Sequence, residues 1–193
     1  MLFVSILLSD CATPGNPDGG PRDEQPPQLD SLSSTPNYQT NFTKQRLEFT
    51  FDEWVKLNNP VKEVLVSPPF IKSLNLTIRK KTVRVEFPED EELKENTTYT
   101  INFGDAIQDL TESNPVPDFR FVFSTGDEID SLSINGSIKD AITGEPVPDV
   151  RVFLYYNQAD SVVRTIKPYY FAKADKNGSF KIENLPAATF KAF

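Results

Sequence analysis

The chain has 193 residues, 38% of them hydrophobic and 11% aromatic, and carries a formal net charge of −8. Sixteen prolines oppose long helices, and fifteen Phe against one Met and one Trp point to cores closed by rings on pleated sheets, so the composition reads all-β. The complete lack of histidine removes the commonest neutral-pH base and metal ligand, and the single cysteine rules out an internal disulfide or a cysteine-rich metal site.

At the N-terminus, Leu2 to Leu8 form an apolar run far shorter than the roughly 20 residues that span a bilayer. It has the length of a signal-peptide core, and Cys11 follows at once in Leu8-Ser9-Asp10-Cys11. This layout resembles a bacterial lipobox, although Asp10 stands where a small residue is usual. The resemblance implies lipidation of Cys11 and a membrane partner held through the lipid anchor. No Lys or Arg precedes the apolar run, so the natural start is expected further upstream. Residues 1–11 are therefore read as a truncated signal segment. Residues 12–27 carry five Pro and three Gly with almost no apolar side chain, and predict a disordered or extended tether.

From Arg46 the chain alternates with a period of two. Leu47, Phe49 and Phe51 share one face, and the pattern recurs in Leu74-Leu76-Ile78, Val83-Val85-Phe87, Tyr99-Ile101-Phe103 and Phe119-Phe121-Phe123. Breakers such as Asn58-Asn59-Pro60, Ser67-Pro68-Pro69 and Pro88-Glu89-Asp90 separate these runs. Short strands with turn signals every 8–12 or so residues predict a two-sheet sandwich over residues 28–126. Phe49, Phe51, Tyr99, Ile101 and Phe121 are expected core positions. The run Arg79, Lys80, Lys81 and Arg84 sits where two alternating segments meet. It predicts a solvated hairpin tip, and with no basic block elsewhere no nucleic-acid partner is expected.

The wording of this region resembles a bacterial Ig-like domain of the S-layer-protein (SbsA) type. Leu47-Glu48-Phe49-Thr50-Phe51-Asp52-Glu53-Trp54-Val55, Leu93-Lys94-Glu95-Asn96-Thr97-Thr98-Tyr99 and Phe123-Ser124-Thr125-Gly126 carry the resemblance, in order. Ser113-Asn114 departs from the Gly-Asn common there, so that turn is expected to be built differently. The resemblance implies a spacer or adhesive module.

Past the acidic joint Asp127 to Asp130, Leu132, Ile134 and Ile138 alternate, and Val150 to Tyr156 reads as a central strand. Asp175-Lys176-Asn177-Gly178-Ser179 is a turn with the Asn-Gly that tight hairpins use for positive φ. The series from Gly136 through Thr143-Gly144-Glu145-Pro146-Val147-Pro148 to Asn184-Leu185-Pro186-Ala187 resembles carboxypeptidase regulatory-like, transthyretin-type sandwich domains. The fold expected is thus all-β, two tandem β-sandwich (Ig-like) domains over residues 28–126 and 129–193. Because Phe193 falls inside an expected strand, the second domain is read as C-terminally truncated.

Candidate sites are few. Asp175, Asn177 and Ser179 alternate around a glycine as in part of a calcium loop, but lack the further carboxylates such a loop needs, so a plain turn is expected. Asp52 and Glu53 lie next to Trp54, yet neighbours on a strand face opposite ways and cannot bracket one glycosidic bond, so a solvated strand edge is expected. Tyr155, Tyr156, Tyr169 and Tyr170 form a local aromatic excess, the weak candidates for stacking on a ligand. No catalytic residue, metal or cofactor is expected. Three functional readings remain: a lipid-anchored structural or adhesive envelope protein, a carbohydrate-binding accessory module of a polysaccharide-uptake system, or the non-catalytic front of a longer exported enzyme. Both resemblances imply a Bacteroidetes-type outer-membrane lipoprotein, whose partner is polysaccharide or another envelope protein.

Overall fold

The computed structural model describes residues 22–193. Cys11 and the signal-like run lie outside those residues. In chain order the strands are β1 (Leu47–Thr50), β2 (Val55–Leu57), β3 (Leu65–Ser67), β4 (Asn75–Arg79), β5 (Thr82–Glu86), β6 (Thr98–Asn102), β7 (Ile107–Asp109) and β8 (Arg120–Ser124). They continue with β9 (Leu132–Ser137), β10 (Arg151–Tyr155), β11 (Tyr170–Lys173), β12 (Ser179–Leu185) and β13 (Lys191–Ala192). One helical turn at Pro60–Glu63 and one 3-10 turn at Asp160–Arg164 complete the described elements. The fold is all-β, as the alternation requires.

Period-two patterning sets the first sandwich. One sheet has the order β1-β5-β4 and the other β3-β6-β8, all antiparallel, with β2 and β7 paired beside them. In the first sheet Leu47 lies opposite Val85 and Phe49 opposite Val83, which places all four on the buried face. In the second, Tyr99 lies opposite Phe123 and Ile101 opposite Phe121, again all buried. The two inner faces form a single cluster whose rings interlock. Phe49 meets Phe121 at 5.3 Å between centroids and Phe103 edge-on at 5.5 Å, and Tyr99 stacks on Phe123 at 5.2 Å. Each fully buried ring of this kind contributes roughly 1.5–3 kcal/mol by transfer from water, and each well-placed pair about 0.5–1.5 kcal/mol more. The five expected core positions all belong to this cluster.

The β4–β5 hairpin turns on Lys80 and Lys81, with Arg79 opposite Thr82, so these three form a hairpin tip, whereas Arg84 lies within β5 and pairs with Glu48 at 2.9 Å. Part of the expected tether behaves differently. Residues 22–27 lie against the β7–β8 turn: Arg22 donates to the Glu112 carbonyl at 3.1 Å, Asn114 donates to the Asp23 carbonyl at 3.0 Å, and Pro27 is buried. Proline-rich composition does not keep this stretch off the sandwich, because carbonyls need only one donor each to be held.

In the second unit β10 is the middle strand of the sheet β11-β10-β13, and β12 pairs with β9. Leu154, Tyr170, Ala172, Ile182 and Leu185 form its own core between the two sheets. The turn at Asp175–Ser179 carries the chain from one sheet to the other. It is not a two-residue hairpin. The Asp175 N–H donates to the Ser179 carbonyl at 2.9 Å, and of the central residues only Gly178 takes a positive φ, of 71°. That is a three-residue loop closed by a left-handed residue. Glycine is required there, since a Cβ would sit 2.4 Å from the Ile138 carbonyl oxygen. Alternation in β9 does not lead to burial: Leu132 is 53% and Ile134 38% exposed. Among the described residues β9 has a partner on one edge only, so its apolar residues reach past the rim of the small core.

The units touch. Arg120 of β8 pairs with Glu183 of β12 at 2.9 Å, Asn184 donates to the Asp130 carbonyl at 3.1 Å, and the Asp130 N–H donates to the Thr98 hydroxyl at 2.9 Å.

Replacing Phe49 by Ala is expected to cost about 3–5 kcal/mol in urea unfolding, the scale of a buried ring removed from a packed core. Trp54→Ala, at a half-exposed ring, should stay within about 0.5–1 kcal/mol. Equal losses at the two positions would contradict the assigned register.

Candidate functional site

Four tyrosines and two acidic turns are the positions at which chemistry could reside. Tyr155 ends β10 with Tyr156 just beyond it, and Tyr170 opens β11 with Tyr169 just before it. Tyr170 pairs across the ladder with Leu154 and is only 4% exposed. Burial, and then the Tyr156 hydroxyl 3.5 Å away, push its phenol well above the ordinary tyrosine range. Tyr155 is 2% exposed on the opposite face of the strand, with Phe193 edge-on at 5.7 Å. Tyr156 meets Tyr169 edge-on at 4.7 Å and Phe190 at 4.9 Å, and Lys94 of the first sandwich lies over the Tyr169 ring at 5.2 Å.

Tyr155 and Tyr170 are buried on opposite faces of their sheet, while Tyr156, 39% exposed, and Tyr169 pack against each other, with Phe190 and Lys94 as further neighbours. A sugar platform needs an open ring face. The sequence showed the rings but not which neighbours would cover them.

The calcium-like turn is likewise occupied by its own backbone. Asp175 Oδ1 accepts the Asn177 N–H at 2.8 Å and the Ser179 N–H at 2.9 Å. Among the described residues, no three His, Cys, Asp or Glu side chains gather closely enough to hold a metal.

The remaining pair is Glu53 and Asp109, whose environments act in opposite directions. Asp109 ends β7 and is buried. Desolvation would raise its carboxyl, but backbone donors outweigh it and hold the group below its ordinary value. Oδ1 accepts N–H groups of Glu112 at 2.6 Å and Ser113 at 2.9 Å, and Oδ2 accepts that of Asn114 at 2.8 Å. This is how the turn at Ser113-Asn114 is built: Ser113 takes a φ of 69°, and the carboxylate cage holds it there. Glu53 lies in the bend before β2 and is pushed up, first by desolvation and then by the charges of Asp109, Asp52, Asp23 and Glu112.

Diverging carboxyls are a pattern of acid–base sites. Here both Asp109 oxygens are committed to three backbone donors. Beside Glu53 there is only a shallow, open depression lined by Trp54, Leu110 and Thr111. Asp52 accepts the Gln28 N–H at 2.8 Å and so holds the chain entry, in a bend rather than on the strand edge expected for it. Asp109 and Asp52 shape turns.

A sandwich of antiparallel ladders, with a ring-filled interior and with Asp109 and Asp52 spent on turns, defines an immunoglobulin-like structural module. The family model of the bacterial Ig-like domain matches residues 23–125, more than half the chain, and the chain belongs to that family. The match opens at residue 23, in line with the hydrogen bonds that fasten residues 22–27 to the sandwich. No curated protein matches the chain.

The two carboxyls give a signed pH test. Because the folded-state carboxyl of Asp109 titrates below its ordinary value of 3.8, its stabilisation is complete above that pH and is lost as pH falls through the folded value. Asp109→Asn should cost about 1–3 kcal/mol at neutral pH, for donors left without a charged acceptor, and should flatten the acid limb of the stability profile. Glu53 is opposite in sign. Its penalty is present at neutral pH and vanishes as the group protonates on acidification, below the ordinary 4.5. Glu53→Gln should therefore raise the melting temperature slightly at pH 7 and leave it unchanged at pH 3.

Proposed function

We propose that this chain is a non-catalytic, lipid-anchored protein of the cell envelope whose sandwiches serve as a structural, spacer or adhesive module. The observation that carries the reading is the Ig-like sandwich itself. Its rings are used within its own interior and its perturbed carboxyl is consumed by a turn, which leaves a stable, inert body. The second unit is taken as a carboxypeptidase regulatory-like sandwich, supported by the Gly136 to Ala187 series and by a separate core in two small sheets.

Anchoring rests on Cys11 in its lipobox-like setting, followed by a proline- and glycine-rich stretch that would hold the modules away from a bilayer. Acylation at one cysteine with several chains gives stable attachment without a spanning helix. Among the described residues no helix is long and apolar enough to cross a membrane. An outer-membrane location, on the periplasmic or the surface face, follows from the same reading, with another envelope protein or polysaccharide as the partner.

The anchor is tested by metabolic labelling with a fatty-acid probe in a bacterial host, using a gene that carries a functional signal sequence. The native chain should take up label and sediment with membranes, and Cys11→Ala should lose the label and appear in the soluble fraction. Label that persists in the variant, or a native chain that is never labelled, would contradict lipid anchoring.

A further inference from the structure

Where the two units meet they line a half-open cavity of about 350 Å³. Phe153 and Phe171 form one wall. They lie opposite each other across the β10–β11 ladder and face away from the core of their own unit. The other wall belongs to the first sandwich and includes Val61 and Leu74. The volume is at the lower end of the roughly 300–1,000 Å³ typical of small-molecule sites. Charge sets this cavity apart from the rest of the molecule. The chain as a whole carries −8, yet the lining includes Lys72, Arg151 and Lys167 and no acid.

The three cations are not equally engaged. Lys72 pairs with Asp90. Lys167 donates only to the Phe70 carbonyl, at a long 3.4 Å, and Arg151 has no ion pair among the described residues. Two positive groups at the margin of an apolar hollow, on an otherwise acidic protein, complement a ligand with a single anionic head and a short apolar body. We propose that this inter-unit cavity binds a medium-chain alkyl carboxylate, its chain between the Phe153–Phe171 wall and the first sandwich and its carboxylate at Arg151 and Lys167. Bound there, the ligand would touch both units at once and strengthen their association.

The test is calorimetric titration of the whole chain with decanoate below its micelle concentration, beside decanol, decyltrimethylammonium and acetate. Decanoate should bind saturably at one site, decanol more weakly, and acetate and the cationic amphiphile not measurably. The Arg151→Glu, Lys167→Glu double variant should weaken decanoate binding by at least about tenfold, as expected when like charge replaces complementary charge. Val61→Trp, which fills the hollow from an exposed position, should abolish binding; Lys176→Glu, at a remote turn, should change nothing. Each variant is first checked for a native melting transition. Equal binding of the anionic and cationic amphiphiles would overturn the proposal, as would decanoate binding that survives both the charge reversal and the tryptophan. Absence of saturable binding to the native chain would overturn it without reference to any variant.

Discussion

Phe49, Phe103, Phe119 and Phe121 meet between the two sheets of the first sandwich, and the rest of the architecture depends on that contact. Phe119 stacks on Phe103 at 4.8 Å and meets Phe49 edge-on at 5.1 Å, so rings from three separate stretches of chain converge. A strand with a period of two has only two settings. Sliding β8 by one residue would turn Phe121 and Phe123 out of the core and bring Arg120 in. The interlock therefore selects the register of β8, which through its ladder selects that of β6, and β3 follows. It also sets where Arg120 stands to reach Glu183, and so takes part in placing the second unit.

Much of this was legible in the amino-acid sequence because alternation is a local signal. The five strand motifs of the first sandwich and the middle strand of the second unit could be read residue by residue. Coverage was not legible. Tyr155 is buried because Phe193, 38 positions away, turns its edge to it, and Tyr169 is covered in part by Lys94. Leu132 and Ile134 alternate as a buried strand would, yet stay exposed because their strand lies at the rim. The Asp109 cage was half visible. The missing glycine at Ser113 marked an unusual turn, but nothing in the local pattern showed that a carboxylate six residues from Pro115 would hold it. The inter-unit cavity could not be read at all, since its walls come from residues 60–76 and 151–171.

The same physics underlies the functional reading. Acids outnumber bases, but Asp109 of the first sandwich is drawn into a turn, and the second unit uses Asp175 and Asp140 in the same way. Tyr156 and Tyr169 pack on one another. Among the described residues Arg151 and Lys167 have no ion pair, and they line the apolar hollow where the units meet. A module whose own interiors are finished, and whose junction is not, is suited to holding position and to having that junction stabilised.

If the interlocked rings carry the stability, native-state hydrogen exchange should grade the chain accordingly. Amides of Val83, Ile101 and Phe121, on strands that face the ring cluster, should exchange only through global unfolding, with a denaturant dependence matching that of the whole first sandwich. Amides of β9 should exchange far faster, through local opening at the rim of the second unit. Protection of β9 equal to or above that of β5, β6 and β8 would contradict the account, because stability would then not reside in the aromatic interior of the first sandwich.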